Sequence, residues 1–458
     1  MPARFVTIDR ETPLLLPPDL RDWVPHDHLA HYLLDAIASL PLTTLRVNER
    51  GTGDAQYPPR MLLGLLLYCY ATGTFSSRAI ERATYTDVAV RFLSGDTHPD
   101  HDTLCTFRRQ NAAVVTESFV QVLELARELK LAQFGQVTLA VDGTKVLANA
   151  SKHSAVSYRR AGEQIELLRQ EVEQLLAKAE QADSVPLQDG LSIPAEIARR
   201  QQRLEKLQTA RAVIEERARQ RATLQSPRAA GGPDTPPPPP PESGSGSGGE
   251  ASAPAAAPQP QDQYNFTDPD SRIMKAGNGA HFEQAYNAQA AVDTVSRLIV
   301  GQRVTNAPTD KQQLVPTLAA VAAPVRAAVS AVLADNGFYS EAAVRAVEAN
   351  GGPTVYAAVA KTAHHRSVAD LEVQTEPVPP PPEAQAMEQM RYRLQTSAGR
   401  MLYRLRQQTV EPVFGILKEA LGFRRFSLRG LTGAQSEWTL VCVAYNLRRM
   451  HRLSLLKE

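Results

Sequence analysis

A mixed α/β fold, preceded by an all-α region and interrupted by a helical hairpin, is what this 458-residue sequence predicts. Three observations carry it. Residues 18 to 130 have helical apolar spacing throughout. Two apolar, strand-forming runs, Val137 to Asp142 and Val329 to Asp335, each end on an aspartate with a glycine just beyond it. Further strands and helices alternate around the second run, the pattern of a mixed sheet with helices against it.

Length allows two to four domains and a substantial core. The net charge of +1 hides an uneven distribution. Residues 391 to 458 hold 13 Lys and Arg against 4 Asp and Glu, whereas residues 1 to 135 hold 13 against 16. A basic C-terminal segment favours a polyanionic partner. Cys69, Cys105 and Cys442 are too far apart for a disulfide framework or a zinc motif, and read as core residues of a reduced, cytoplasmic protein. Met1 to Arg10 lacks the apolar core of a signal peptide. The most apolar stretch, Met61 to Ala71, is too short to cross a bilayer, so no membrane is expected and this stretch reads as a buried helix.

In the N-terminal region (1–135), Leu29, Leu33, Leu34, Ile37 and Leu40 recur at helical spacing until Pro41. Short helices follow from Ser76, Asp87 and Asp102, with Ser77 and Asp102 at expected N-cap positions. Arg78, Arg82, Arg108 and Arg109, taken as exposed, suit a helix-turn-helix-like DNA reader; a plain helical bundle with solvated arginines reads equally from the spacing. His98, Asp100, His101 and Asp102 have metal-ligand chemistry, but Pro99 and the turn setting point to a solvated loop.

Residues 136–157 begin the sheet with the strand ending on Asp142, followed by a polar stretch containing Lys145. From 158 to 225, Ile165, Leu168, Val172, Leu175 and Ala179 make one helical stripe, and Ile197, Leu204, Leu207, Arg211 and Ile214 a second. Pro186, Gly190 and Pro194 break the helix between them, giving an antiparallel coiled hairpin. Its 12 basic and 11 acidic residues make it a near-neutral arm and not a DNA-binding face. Residues 226–263, with six consecutive prolines at 236–241 and a Ser-Gly repeat, read as a disordered linker. Residues 264–458 return to the sheet. Tyr286 to Asp293 and Leu298 to Thr305 read as paired strands, Asp310 to Ala323 as a helix, Tyr339 to Asn350 as another, and Pro353 to Ala360 as a strand.

The segment Tyr403 to Gly430 then reads as a helix on which Arg404, Glu411 and Lys418, seven apart, share one face with Gly415 and Gly422. Leu405, Ile416, Leu417, Ala420 and Leu421 would face a core, and Pro412 would open or kink the helix. Either aspartate alone also reads as the start of a tight turn. Together with Glu411, Asp142 and Asp335 supply three hard carboxylates. Such a set can hold two Mg²⁺ ions about 3.5–4 Å apart for in-line displacement at phosphorus. Lys418 and Arg404 would grip phosphates.

With AVDGTK around Asp142, FTDPDSR, AYNAQAAVD, LADNGFYS around Asp335 and TVEPVFGILKEALGFRRFSLRG around Glu411, the chain resembles the DDE transposases of bacterial insertion sequences. The resemblance implies a ribonuclease H-like catalytic domain in which Asp142, Asp335 and Glu411 are the catalytic, metal-holding triad. It implies Mg²⁺ as cofactor, with Mn²⁺ as a substitute, and Lys418 as the family lysine after the glutamate. Many relatives carry an Arg four residues and a Tyr seven residues before that glutamate; here these positions hold Gln407 and Arg404, with Tyr403 and Arg406 one residue further away. Lys145, Arg424 and Arg425 complete the expected DNA contacts, with Arg108 and Arg109 in the N-terminal region. The partners implied are the element's terminal inverted repeats, target DNA and a second copy of the chain in a homodimer or larger homo-oligomer, in a nucleoid-associated cytoplasmic setting. A metal-dependent nuclease or resolvase without strand transfer, and a catalytically inactive DNA-binding regulator, are the competing readings.

Overall fold

A computed structural model describes residues 19–46, 55–181, 192–225, 257–276, 281–359, 376–381 and 383–457. The expectations for Met1 to Arg10, for the helix break at 183–191 and for most of the 226–263 linker lie outside these residues. The chain divides into two compact units, Met1–Val146 with Tyr286–Glu458, and Leu147–Ala285.

The first unit opens with six helices: α1 (Leu29–Ser39), α2 (Pro59–Ala71), α3 (Ser77–Thr86), α4 (Val88–Leu93), α5 (His101–Gln110) and α6 (Ala112–Glu128). Proline at N1 starts α2, whose fixed φ suits a first helical position, and ten of its residues are buried. Two expected caps move by one or two residues. Ser76, not Ser77, precedes α3, and Asp100, not Asp102, caps α5 by accepting from the Thr103 amide at 2.5 Å. Each cap lies where the extended backbone ends, a position that propensity locates only to within a residue or two.

The sheet of this unit places β1 (Val137–Leu147) between the second half of β5 (His281–Asp293) and β7 (Val329–Ala334). Beyond β5 lies β6 (Ile299–Thr305), antiparallel to it, and beyond β7 lies β8 (Thr354–Ala357), parallel to it. The order β6-β5-β1-β7-β8, with helices against it, is a mixed α/β sheet consistent with a ribonuclease H-like domain. β1 and β7 run parallel and in register through Val141 and Ala334. β1 does not end on Asp142 as expected: the β-branched alternation Thr144, Val146 carries it to Leu147 beside β5, and only its pairing with β7 stops at Val141. The expected helix from Asp310 is also shorter. Helical residues are confined to α9 (Leu314–Ala319) and α10 (Ala323–Arg326), because the chain between them is drawn onto the sheet by Ala322 N–H donating to Val300 O at 2.8 Å. α11 (Glu341–Glu348) starts at the Ser340 cap, which accepts from Ala343 N–H.

Three helices finish the unit: α12 (Ala386–Gln395), α13 (Ser397–Gly415) and α14 (Gly430–Leu455). α14 is buried without a break from Glu437 to Leu447, the mark of a central helix. It packs on α2, on α6 and on β6, so the N-terminal helices and the sheet share one core. Its Trp438 indole N–H donates to Gln289 O at 3.0 Å, and Asn446 brackets Ile299 by accepting from its N–H at 2.9 Å and donating to its carbonyl at 2.8 Å.

A buried charge pair also joins the N-terminal helices to α14. Arg108, expected on an exposed face, is only 4% exposed. Its guanidinium donates to Tyr70 Oη at 2.6 Å and lies 3.9 Å from Glu437, and Tyr70 donates in turn to Glu437 Oε1 at 3.0 Å. The other Glu437 oxygen accepts from the amides of Ser427 and Leu428. Arg108 is thus buried in this network and does not lie on the exposed face expected of it. Spacing alone missed this because Arg108 follows the buried Phe107 on the crowded side of α5.

The second unit holds the hairpin of α7 (Tyr158–Gln181) and α8 (Ile193–Gln225). At its base lie the ribbon of β2 (Ala155–Ser157) and β3 (Gln263–Asn265), and β4 (Arg272–Ala276) paired antiparallel with His281–Ala285. Val156, Ala161, Ile165, Leu168, Leu207 and Ala210 form its core, so the hairpin is anchored by its proximal turns. Among the described residues no helix is long and apolar enough to cross a membrane.

Removing one partner of a buried ion pair leaves the other charge unpaired. Glu437→Leu is therefore expected to lower stability by about 3–5 kcal/mol in urea unfolding, and the double change Arg108→Met with Glu437→Leu by much less. A second test uses Glu117, whose carboxylate accepts from the amides and hydroxyls of Thr43 and Thr44 at 2.7–3.1 Å. Partial burial opposes its charge, yet these bonds hold its pKa down at about 2. A lowered carboxyl pKa stabilises above the unfolded value of about 4.3 and loses that contribution as pH falls toward 2. The urea midpoints of wild type and Glu117→Gln should therefore differ at neutral pH and converge across that window.

Candidate active site

The β1–β7 register decides where the first two acids go. Asp142 and Asp335 are the residues next after the last paired positions, Val141 and Ala334, so parallel pairing brings the two carboxylates side by side. Asp335 leaves β7 as the cap of a single 3₁₀ turn, Asn336–Phe338, accepting from Gly337 N–H at 2.8 Å. The turn expected of Asp-Asn-Gly is thus present and serves to hold the carboxylate. Asp142 accepts from Gly143 N–H at 2.8 Å and is four-fifths covered. Burial first, and then the charge of Asp335, push its pKa up to about 7 against the opposing pull of Arg406.

Arg406 is the third member of this cluster. Its guanidinium donates to Asp142 Oδ2 at 3.3 Å and to Glu411 Oε1 at 3.2 Å, and it lies over the Tyr403 ring at 6.0 Å. The structure therefore brings Glu411, from α13, to the same centre as Asp142, with a cation shared between them. Glu411 keeps half of its side chain open to solvent. The one-residue offset of Tyr403 and Arg406 does not take them out of the site, because both lie on the face of α13 turned toward the sheet. Arg404, placed on the Glu411 face by the seven-residue spacing, is exposed, as Glu411 is.

Past Gly415 the helix widens into a π turn, Ile416–Ala420, and stops at Gly422, whose φ is +79°. Pro412 sits inside α13, and the break comes only after Gly415. Leu417 and Leu421 are buried as expected, whereas Ala420 is exposed, since the wider turn rotates it away from the core. A side chain at Gly415 or Gly422 would meet nothing within 4 Å, so this face is open to a large ligand. Lys418, in the π turn, donates to the Lys145 carbonyl at 2.8 Å, tying the glutamate-bearing helix to the strand of Asp142. Arg424 pairs with Glu419, and Arg425 and Arg109 are exposed.

A polar cluster behind Asp142 was not among the sequence expectations. Asp310 accepts from the side-chain amides of Asn287 at 2.6 Å and Gln289 at 2.7 Å, and Lys145 lies 3.8 Å from its other oxygen. The signal was the alternation of Asn287 and Gln289 within AYNAQAAVD, which puts both on one face of β5. Gly143 backs onto this cluster, and a Cβ there would stand 2.3 Å from the Gln289 amide nitrogen and 2.7 Å from Asp310 Oδ1. Glycine is thus required by close approach within a strand and not by a turn.

Among the described residues no group of three His, Cys, Asp or Glu side chains is gathered closely enough to hold a metal ion. Between Asp142 and Glu411 stands the Arg406 guanidinium. The donor chemistry nevertheless fits a hard divalent cation: oxygen ligands only, and a buried carboxyl whose charge is opposed by burial and by a second carboxylate beside it. His98, Asp100, His101 and Asp102 lie elsewhere; His98 stacks on Tyr85, Asp100 caps α5 and His101 bonds Glu81 at 2.8 Å.

Gly143→Ala is expected to cost about 1–3 kcal/mol through overpacking against the buried cluster, read as a lowered urea midpoint. Adding Gln289→Ala should recover part of that loss, whereas an unchanged midpoint in the single variant would show that the cluster yields freely.

Two family models match the chain. Residues 255–447 match one described as "Transposase DDE domain", a span that includes Asp335 and Glu411 and begins after Asp142. Residues 18–110 match one described as "Transposase domain (DUF772)". Neither the curated proteins nor the solved structures provide a significant match.

Proposed function

We propose that this chain, a DDE transposase of the insertion-sequence type, cuts the ends of its own element in a reaction dependent on a divalent cation and joins the freed 3′-hydroxyls to target DNA. The observation that carries the reading is the parallel register that sets Asp142 beside Asp335, with Arg406 reaching from Asp142 to Glu411.

Asp142, Asp335 and Glu411 would hold Mg²⁺, or Mn²⁺ in its place. Bound there, such an ion polarises the phosphodiester and favours the attacking oxygen as an anion. The protein supplies position and charge. β1 and β7 fix two carboxylates with no loop between them and the sheet. Lys418, by holding the Lys145 carbonyl, sets the distance of α13 from β1. Arg406 neutralises Asp142 and Glu411 in the DNA-free protein, and its guanidinium suits the extra negative charge of a phosphate in flight. Gly415 and Gly422 leave room for the duplex along the helix. Arg404, Arg424 and Arg425, on or beyond that helix, extend cationic surface from the centre toward the DNA backbone. Joining two element ends asks for at least two copies of the chain.

Purified protein with Mg²⁺ and a duplex taken from the DNA bordering the coding region should yield end cleavage and strand-transfer products. Chelation should stop both. Asp142→Asn, Asp335→Asn and Glu411→Gln should each lower cleavage by roughly 10³-fold or more while leaving DNA affinity within a few-fold of wild type. Cleavage without joining would reduce the activity to that of a nuclease, and full activity in any of the three variants would remove that residue from the site.

A further inference from the structure

Four arginines converge on a small pocket of about 50 Å³ beside the end of the helix that carries Glu411. Arg448, Arg449 and Arg452 come from α14, Arg297 comes from the turn between β5 and β6, and Pro412, next to Glu411, and Ile416 form part of the wall. Among the described residues none of the four is within ion-pair distance of a carboxylate, although other arginines of the chain commonly are. Arg449 instead feels Arg297 and Arg452, and Arg448 feels Arg452, so that burial and like charge together pull both below the usual arginine range.

The cluster is held in place. Arg448 donates to Ala71 O at 2.7 Å and Arg449 to Ser296 O at 2.9 Å, which fixes one donor of each and leaves the rest of each fork available. Tyr445 donates its hydroxyl to the Arg297 carbonyl at 3.1 Å. Arg297 itself adopts φ +60°, a left-handed conformation that glycine or asparagine would take at lower cost. Arg297 closes the β5–β6 turn in that conformation, its N–H donating to Asp293 O at 2.9 Å, so the turn fixes its backbone beside the pocket.

We propose that Arg297, Arg448, Arg449 and Arg452 form a preformed seat for a phosphate of the DNA backbone, beside the helical segment that follows Glu411. The proposal rests on the transposase reading and specifies where the duplex is gripped. Guanidinium forks match phosphate oxygens in pairs, and a convergent set of cations without internal counter-ions is satisfied by a polyanion. A backbone phosphate is preferred to an acidic protein segment because the pocket adjoins Glu411, where the reading places DNA. Such a contact positions the duplex without reading sequence.

The test is a salt titration of binding in magnesium-free buffer, using a short fluorescein-labelled duplex from the DNA bordering the coding region. Arg297 and Arg452 are exposed, and neither makes a side-chain hydrogen bond within the described residues, so Arg297→Gln with Arg452→Gln should leave the melting curve unchanged. The double variant is expected to bind about tenfold more weakly, with the slope of log affinity against log salt shallower by about 1. Charge reversal in Arg452→Glu should weaken binding further. Affinity and slope equal to wild type in both variants would overturn the proposal. So would normal DNA binding with a loss of self-association by sedimentation, which would give the pocket to an acidic segment of a second copy. If wild type cleaves the duplex once Mg²⁺ is added and the variants bind it normally, the seat alone is wrong; if wild type neither binds it nor cleaves it with Mg²⁺, the transposase reading falls as well.

Discussion

Two carboxylates on neighbouring parallel strands repel each other and lose water together, and the site is organised around relieving that strain. Burial and Asp335 raise Asp142 against its charged form, while Arg406 favours it. Keeping Asp142 charged at this end of the sheet is therefore favoured by a cation beside it. Arg406 supplies that cation and links Asp142 to Glu411.

The rest of the first unit keeps that centre in position. Trp438 and Asn446 clamp α14 to β5 and β6, and the buried Arg108–Tyr70–Glu437 network fastens the N-terminal helices to the same helix. Glu437 also holds the amides of Ser427 and Leu428, in the loop that leads from α13 to α14. A charge pair far from the site in sequence therefore supports the glutamate-bearing helix through its C-terminal loop. On the other side, Asp310, Asn287 and Gln289 press on Gly143 and fix the strand directly after Asp142.

Much of this was legible in the residues. Apolar periodicity gave five of the six N-terminal helices, both arms of the hairpin and the strands of the first unit's sheet, because burying one face imposes a period of 3.6 or 2. Strand-forming runs ending in Asp142 and Asp335 correctly suggested adjacent strands. Other readings failed where a distant partner decided the outcome. Arg108 looked solvated until Glu437 and Tyr70 arrived to pair with it. Residues 310–323 looked like one helix until Val300 drew Ala322 onto the sheet. Arg406, and not the Arg404 picked out by spacing, is the cation that reaches Asp142 and Glu411.

The sequence by itself determined the chemistry on offer: three hard carboxylates, a basic C-terminal segment and a glycine-opened helix. Those are properties of side-chain type and local spacing, and they survive without knowledge of any contact. Only the tertiary structure decided which cation stands between the acids, why Gly143 admits no side chain and where four arginines gather without a counter-charge. Each of these depends on the electrostatic field and free volume created by segments more than a hundred residues apart, and no local pattern in the chain encodes that sum.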